Sequence, residues 1–107
     1  MTRGTVYWVR LGATKVPEFG KTRPGLVVSN SVQNSILDSV IVVPISSSPD
    51  EIWPLRVGVG DVTGQQSLAV LPGLRQVSKT RLGERIATLS ARVMDRIDEA
   101  LAVYLGE

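Results

Sequence analysis

Ser39-Val40-Ile41-Val42-Val43-Pro44-Ile45 is the most apolar run of the chain, and its reading decides the fold. It predicts a central strand. Pro44 is then expected near the strand's end, because a proline inside a sheet removes a ladder donor. The run is far too short to cross a bilayer. On its N-terminal side, Thr5-Val6-Tyr7-Trp8-Val9-Arg10 is rich in β-branched and aromatic residues and reads as a first strand. Residues 12–22 read as a loop with Pro17 and Gly20, and residues 26–29 as a short second strand. Residues 30–37 suit one or two helical turns. On the C-terminal side, residues 46–51 read as loop, residues 54–59 and 67–71 as strands, and residues 85–89 as a last strand. Gly58, Gly60 and Gly64 punctuate the turns.

The chain ends in an amphipathic helix. Ser90 is a good N-cap, and Leu89 is placed to staple onto Met94. Met94, Ile97, Leu101 and Tyr104 recur at helical spacing, and Gly106 is a stop. Short strands followed by one helix predict a small, mostly antiparallel barrel packed against that helix. The 107 residues show no repeat or linker and are expected to form one domain over residues 1–107. A domain this small gains stability by oligomerising.

Composition excludes much chemistry. The absence of Cys rules out disulfides, thiolate zinc sites and cysteine nucleophiles. The absence of His rules out Ser-His-Asp catalysis and the two-histidine route to RNA cleavage. Any catalysis must use Arg, Lys, Asp, Glu, Ser, Thr or Tyr. A net charge of +2 is compatible with nucleic acid and says little more. The opening MTRGTVYWVR lacks the apolar core and cleavage site of a signal peptide, so a cytoplasmic protein is expected.

Gly20-Lys21-Thr22 does not make a phosphate loop. The position that needs glycine holds Lys15, and an apolar strand rather than a helix follows. Lys21-Thr22-Arg23-Pro24 is more informative. Pro24 holds Arg23 extended at a strand entrance, where a guanidinium can grip phosphate through two hydrogen bonds. Ser46 and Ser47 follow the apolar strand and offer hydroxyl donors. Glu18, five residues before Arg23, is a candidate general base. Arg75, Lys79, Arg81 and Arg85 form a basic stretch broken by Glu84, and Trp53 stands in a loop where it can stack on a base. Trp8 reads as core from its strand context. Taken one at a time, each of these also fits a solvated charge, a turn hydroxyl or a buried aromatic.

Their order carries more than any one of them. RGTVYWV, GKTRPGLVVSN, VIVVPIS, LRQVSKTRLGERIATLS and the terminal MDRIDEALAVYLG, in sequence over residues 3–106, resemble the MazF/PemK toxin endoribonucleases. The resemblance implies a mainly β, SH3-like barrel related to the CcdB toxins, with the C-terminal helix and one or two short helices. It implies a homodimer. It implies metal-independent, cofactor-free cleavage of single-stranded RNA, mRNA included, by the substrate's own 2′-hydroxyl. It also implies an antitoxin whose acidic C-terminal tail fills the RNA groove, and no membrane partner.

By the same resemblance the catalytic arginine matches Arg23, the hydroxyl at the end of the third strand matches Ser46, and the loop glutamate matches Glu18. Lys21, Thr22, Ser47, Trp53, Arg75, Lys79 and Arg81 are the expected RNA contacts. The chain departs from the family at Pro72-Gly73, where many members carry an acid–Gln pair, and in having Ser rather than Thr at 46. These departures motivate a rival reading as a catalytically weak RNA- or antitoxin-binding member. A CcdB-like gyrase poison is a second rival, but Tyr104-Leu105-Gly106-Glu107 lacks the aromatic and charged terminus which that function uses. A plain SH3-like interaction domain is a third, and it usually needs a larger aromatic cluster than this chain holds.

Overall fold

A computed structural model of the chain describes residues 1–10, 22–47 and 50–106. The strands are β1 (Thr5–Arg10), β2 (Thr22–Val27), β3 (Ser39–Ser47), β4 (Arg56–Asp61), β5 (Gln66–Val70), β6 (Arg75–Ser78) and β7 (Leu82–Thr88). The helices are α1 (Ser31–Ile36) and α2 (Ala91–Leu105), with 3-10 turns at Leu71–Gly73 and Lys79–Arg81. The seven strands pair antiparallel in the order β4-β5-β3-β2-β1-β7, with β6 also on β3.

Strand β3 pairs with three other strands. Residues 42–44 pair with β2, residues 39–42 with β6 and residues 45–47 with β5. Between the pairs Ile45↔Ala69 and Val42↔Arg75, the partner chain advances three residues more than β3 does. The surplus is the 3-10 turn Leu71–Gly73. It lies where Pro44 interrupts the ladder, and Gly73 packs on the Pro44 ring so closely that a Cβ would fall 2.7 Å from Pro44 Cγ.

Pro44 therefore does not end the strand as expected. It sits inside β3, because the neighbouring chain detours around it and resumes pairing beyond. Ser46 and Ser47, expected in a loop, are the last residues of β3. Other boundaries shift as well. β2 begins at Thr22 rather than residue 26, β4 covers residues 56–61 rather than 54–59, and β7 begins at Leu82 rather than residue 85. Strand β6 has no counterpart in the sequence reading, since Arg-Gln-Val-Ser offers one apolar residue and no alternation.

Two apolar clusters flank β3, as alternating side chains require. Val43 and Ile45 join Val6, Leu26, Leu71 and the α2 residues Met94, Ile97 and Ala100. Val40 and Val42 join Val9, Val27 and Val77. Helix α2 starts as expected. Ser90 Oγ accepts the Val93 N–H, and Leu89 and Met94 belong to one cluster. Helix α1 starts at Asn30, whose Oδ1 accepts the Val32 N–H at 2.8 Å. Arg3 ties these ends together. Its Nε donates to the Val28 carbonyl, its backbone N–H to Ser31 Oγ, and its guanidinium pairs with Asp98 of α2. The expected mainly β fold with a terminal helix is borne out. Among the described residues, no helix is long and apolar enough to cross a membrane.

The contact at Pro44 leaves no room for a side chain at residue 73. Gly73→Ala should lower stability by about 1–3 kcal/mol, the usual cost of overpacking, measured as the shift in free energy from denaturant unfolding.

Candidate active site

Pro24 pairs with Trp8 of β1, and Gly25 with Pro44 of β3. Carrying the β2–β3 register two residues further sets Arg23 opposite Ser46. Cross-strand partners share a face, so the guanidinium and the hydroxyl lie on the same side of the sheet. Both border a cleft of about 150 Å³, lined also by Trp8, Pro24, Ile45 and Ser47 and by Thr63, Gln65 and Ser67 of the β4–β5 hairpin. Arg23 is exposed and Ser46 half-buried. Arg23 has no carboxylate partner among the described residues. A guanidinium beside a cluster of hydroxyls is suited to an anionic ligand with several oxygens, such as a phosphodiester.

Trp8 departs from its expected place in the core. It shares a sheet face with Val6, which lies in the cluster under α2. Two residues further along, at the level of Pro24, that cover has ended, and Trp8 is 38% exposed. The same ring borders a second cleft of about 230 Å³, where Arg10, Thr22, Thr80 and Arg81 gather. Arg81 Nη1 donates to the Arg10 carbonyl at 2.9 Å. Trp8 thus joins two polar clefts, one with Arg23 and one with Arg81.

The remaining expected contacts scatter. Ser47 borders the Arg23 cleft, and Thr22 and Arg81 border the neighbouring one. Lys79 opens the second 3-10 turn, its N–H bonded to the Asp38 carbonyl. Arg75 stands exposed at the start of β6, opposite Val42. Glu18 and Lys21 lie outside the described residues. Trp53 is not among the residues that line the clefts. Its ring lies 5.3 Å from the Arg96 guanidinium of α2, which also holds both Glu51 oxygens at 3.0 and 3.1 Å. The sequence reading missed Thr63 and Gln65. Their only signal was a position flanking Gly64, in a turn between two strands.

Comparison with known proteins places this arrangement. Residues 2–105 match the family model described as PemK-like, MazF-like toxin of type II toxin–antitoxin system. The chain belongs to that family. It is 32% identical over 112 residues to the Bacillus subtilis endoribonuclease EndoA, covering 97% of this chain and 93% of that one. It is 30% identical over 113 residues to the Mycobacterium tuberculosis endoribonuclease MazF9, covering 98% and 96%. A mycobacterial endoribonuclease solved in complex with its cognate antitoxin superimposes with a TM-score of 0.82 at 26% identity, covering 98% of this chain and 94% of that one. The expected family, fold and enzyme class, endoribonuclease, are borne out. In this MazF-like chain, the Pro72-Gly73 departure falls in the 3-10 turn against Pro44.

The Trp53 corner titrates in the acid range. Hydrogen bonds from Arg96, and then the Gly58 N–H at 2.8 Å, hold the Glu51 carboxyl below its ordinary 4.5. A depressed carboxyl stabilises the fold above its unfolded pKa and loses that contribution as pH falls through the folded one. Both side chains are well exposed, at 38% and 45%, so solvent limits the pair to under about 1 kcal/mol. Glu51→Gln should therefore be slightly less stable than wild type at pH 7, and the difference should shrink as the pH falls below 4.5. Paired denaturant titrations over a descending pH series measure this.

Proposed function

We propose that this chain cuts single-stranded RNA at a short sequence, without a metal, as the toxin of a toxin–antitoxin pair. Arg23 and Ser46 on adjacent strands of one cleft are the observation that carries this reading. Cleavage proceeds by attack of the ribose 2′-oxygen on the adjacent phosphorus. The 2′-hydroxyl gives up its proton, the new P–O2′ bond forms and the P–O5′ bond breaks. The departing 5′-oxygen takes up a proton. The products are a 2′,3′-cyclic phosphate and a 5′-hydroxyl.

The phosphorane carries extra negative charge, and fixed donors aimed at it lower the barrier. Arg23 clamps the non-bridging oxygens and holds the phosphate in line for attack. Ser46 donates to one of them. A guanidinium stays protonated at neutral pH, so Arg23 is not the base. Glu18 takes that role. Single strands are preferred because in-line geometry pulls the ribose out of the A-form arrangement, which a stacked duplex resists. Unstacked bases are also what sequence-reading proteins engage. Trp8 offers the exposed ring on which such a base stacks. Lys21, Thr22, Ser47, Lys79 and Arg81 supply further polar and cationic contacts, with Arg75 and Trp53 at the periphery.

The antitoxin presents an acidic tail to the same cationic groove, and binding there competes with RNA. The antitoxin-bound mycobacterial relative supports a partner of this kind. Two copies of the chain assemble in the cytoplasm, and the added burial stabilises a small domain.

The test is cleavage of a long RNA in excess EDTA, with the chemistry of the new ends determined. Wild type should give cyclic phosphate and 5′-hydroxyl termini. Removing one such electrostatic donor typically costs about 10²–10³ in rate, so Arg23→Ala should lose at least that much, while Ser46→Thr keeps the hydroxyl and stays active. Wild-type rates in Arg23→Ala would sink the mechanism.

A further inference from the structure

We propose that Gln65, at the tip of the β4–β5 hairpin, reads the edge of a base next to the scissile phosphate. The inference rests on the ribonuclease reading of the Arg23–Ser46 cleft. The carboxamide of Gln65 has no hydrogen-bond partner among the described residues, it is exposed, and its residue forms part of the cleft wall. A carboxamide carries a donor and an acceptor side by side, the pattern that base edges present. It has no charge, so phosphate binding falls to Arg23.

The turn that carries Gln65 is built to hold a fixed position. Gly64 takes a positive φ of 88°, and its N–H donates to Asp61 Oδ1 at 2.7 Å. Ser67, 3% exposed, donates its hydroxyl to the Gln65 carbonyl at 2.9 Å. Ser67 is also the cross-strand partner of Ser47, the neighbour of Ser46. One buried hydroxyl thus links the presenting turn to the end of β3. Sequence reading needs a polar group held at a fixed offset from the reacting phosphate, and this linkage provides the offset. The other end of β5 offers no equivalent. Pro72 and Gly73 carry no side-chain donor or acceptor, and Gly73 is pressed against Pro44.

The experiment maps cut sites on a long mixed-sequence RNA for wild type, Gln65→Ala and Gln65→Glu, with thermal midpoints measured alongside. Gln65→Ala should lose rate at the best sites and change least at sites that already carry a disfavoured base. Its preference at one position beside the cut should fall about tenfold or more, the scale of one base contact. Gln65→Glu replaces the donor half of the amide with an acceptor, so it should shift the preferred base rather than only relax it. As a second readout, oligonucleotides differing at that position should be discriminated by Arg23→Ala in binding, and no longer when Gln65→Ala is added. A Gln65→Ala cut-site pattern identical to wild type overturns the inference. So does a uniform loss of rate with unchanged preference. If wild type cuts no RNA, the ribonuclease reading falls and this inference with it, an outcome distinct from an unaltered pattern.

Discussion

Pro44 imposes the constraint on which the rest of the structure depends. A proline in the middle of a central strand removes one ladder donor. The chain accommodates it by giving β3 different partners before and after that point. Upstream, β3 runs between β2 and β6, and downstream it pairs with β5. The Leu71–Gly73 turn fills the gap. The switch leaves the last residues of β3 beside the entrance of β2, where pairing between the two strands has ended. Ser46 therefore lies beside Arg23 at an opening in the sheet rather than inside it. A second proline, Pro24, holds Arg23 extended at that same opening. Two imino acids on adjacent strands thus define a cleft that the apolar residues between them stabilise.

The electrostatics follow from what the composition lacks. Without His or Cys, the groups in this chain that can meet anionic charge are guanidinium, ammonium, hydroxyl and backbone N–H. It uses arginine in two contrasting ways. Arg96 is fully engaged, bidentate on Glu51 and stacked over Trp53, and it fixes the β3–β4 connection to α2. Arg23 has no such partner among the described residues and faces a cleft of hydroxyls. The same side chain is a structural tie in one place and an available cation in the other. Neighbouring carboxylates make the difference, not intrinsic chemistry.

The fold was legible where local rules act alone. The β1 segment, the α2 helix with its Ser90 cap, and the apolar β3 run follow from β-branching, periodicity and capping. The errors cluster where tertiary pairing overrides local preference. β6 is a strand because β3 presents an open edge, not because Arg-Gln-Val-Ser favours one. Pro44 is internal because its neighbour detours. Trp8 looked like core because aromatics in strands usually are, but its exposure depends on where the cover beneath α2 stops, and that is invisible in a single strand. The Arg23–Ser46 pairing was legible only through the order of motifs. Thr63 and Gln65 join the same cleft through strand register alone, which no local spacing encodes.

The division of labour within the cleft has a consequence for how such a chain changes its target. Arg23 and Ser46 sit on β2 and β3, between residues that build both apolar clusters, so the core sets their positions. Gln65 and Thr63 sit on a hairpin tip with exposed side chains, joined to β3 through Ser67 and the paired backbone. A side chain at such a tip can be exchanged without repacking anything, since burial and not sequence position sets the cost. Under the proposed mechanism, phosphate clamping and base reading are thus mechanically connected but energetically separable. Pro72-Gly73, without polar side chains, contributes to the shape of the sheet, and the hairpin tip carries the exposed hydroxyl and carboxamide groups of the cleft.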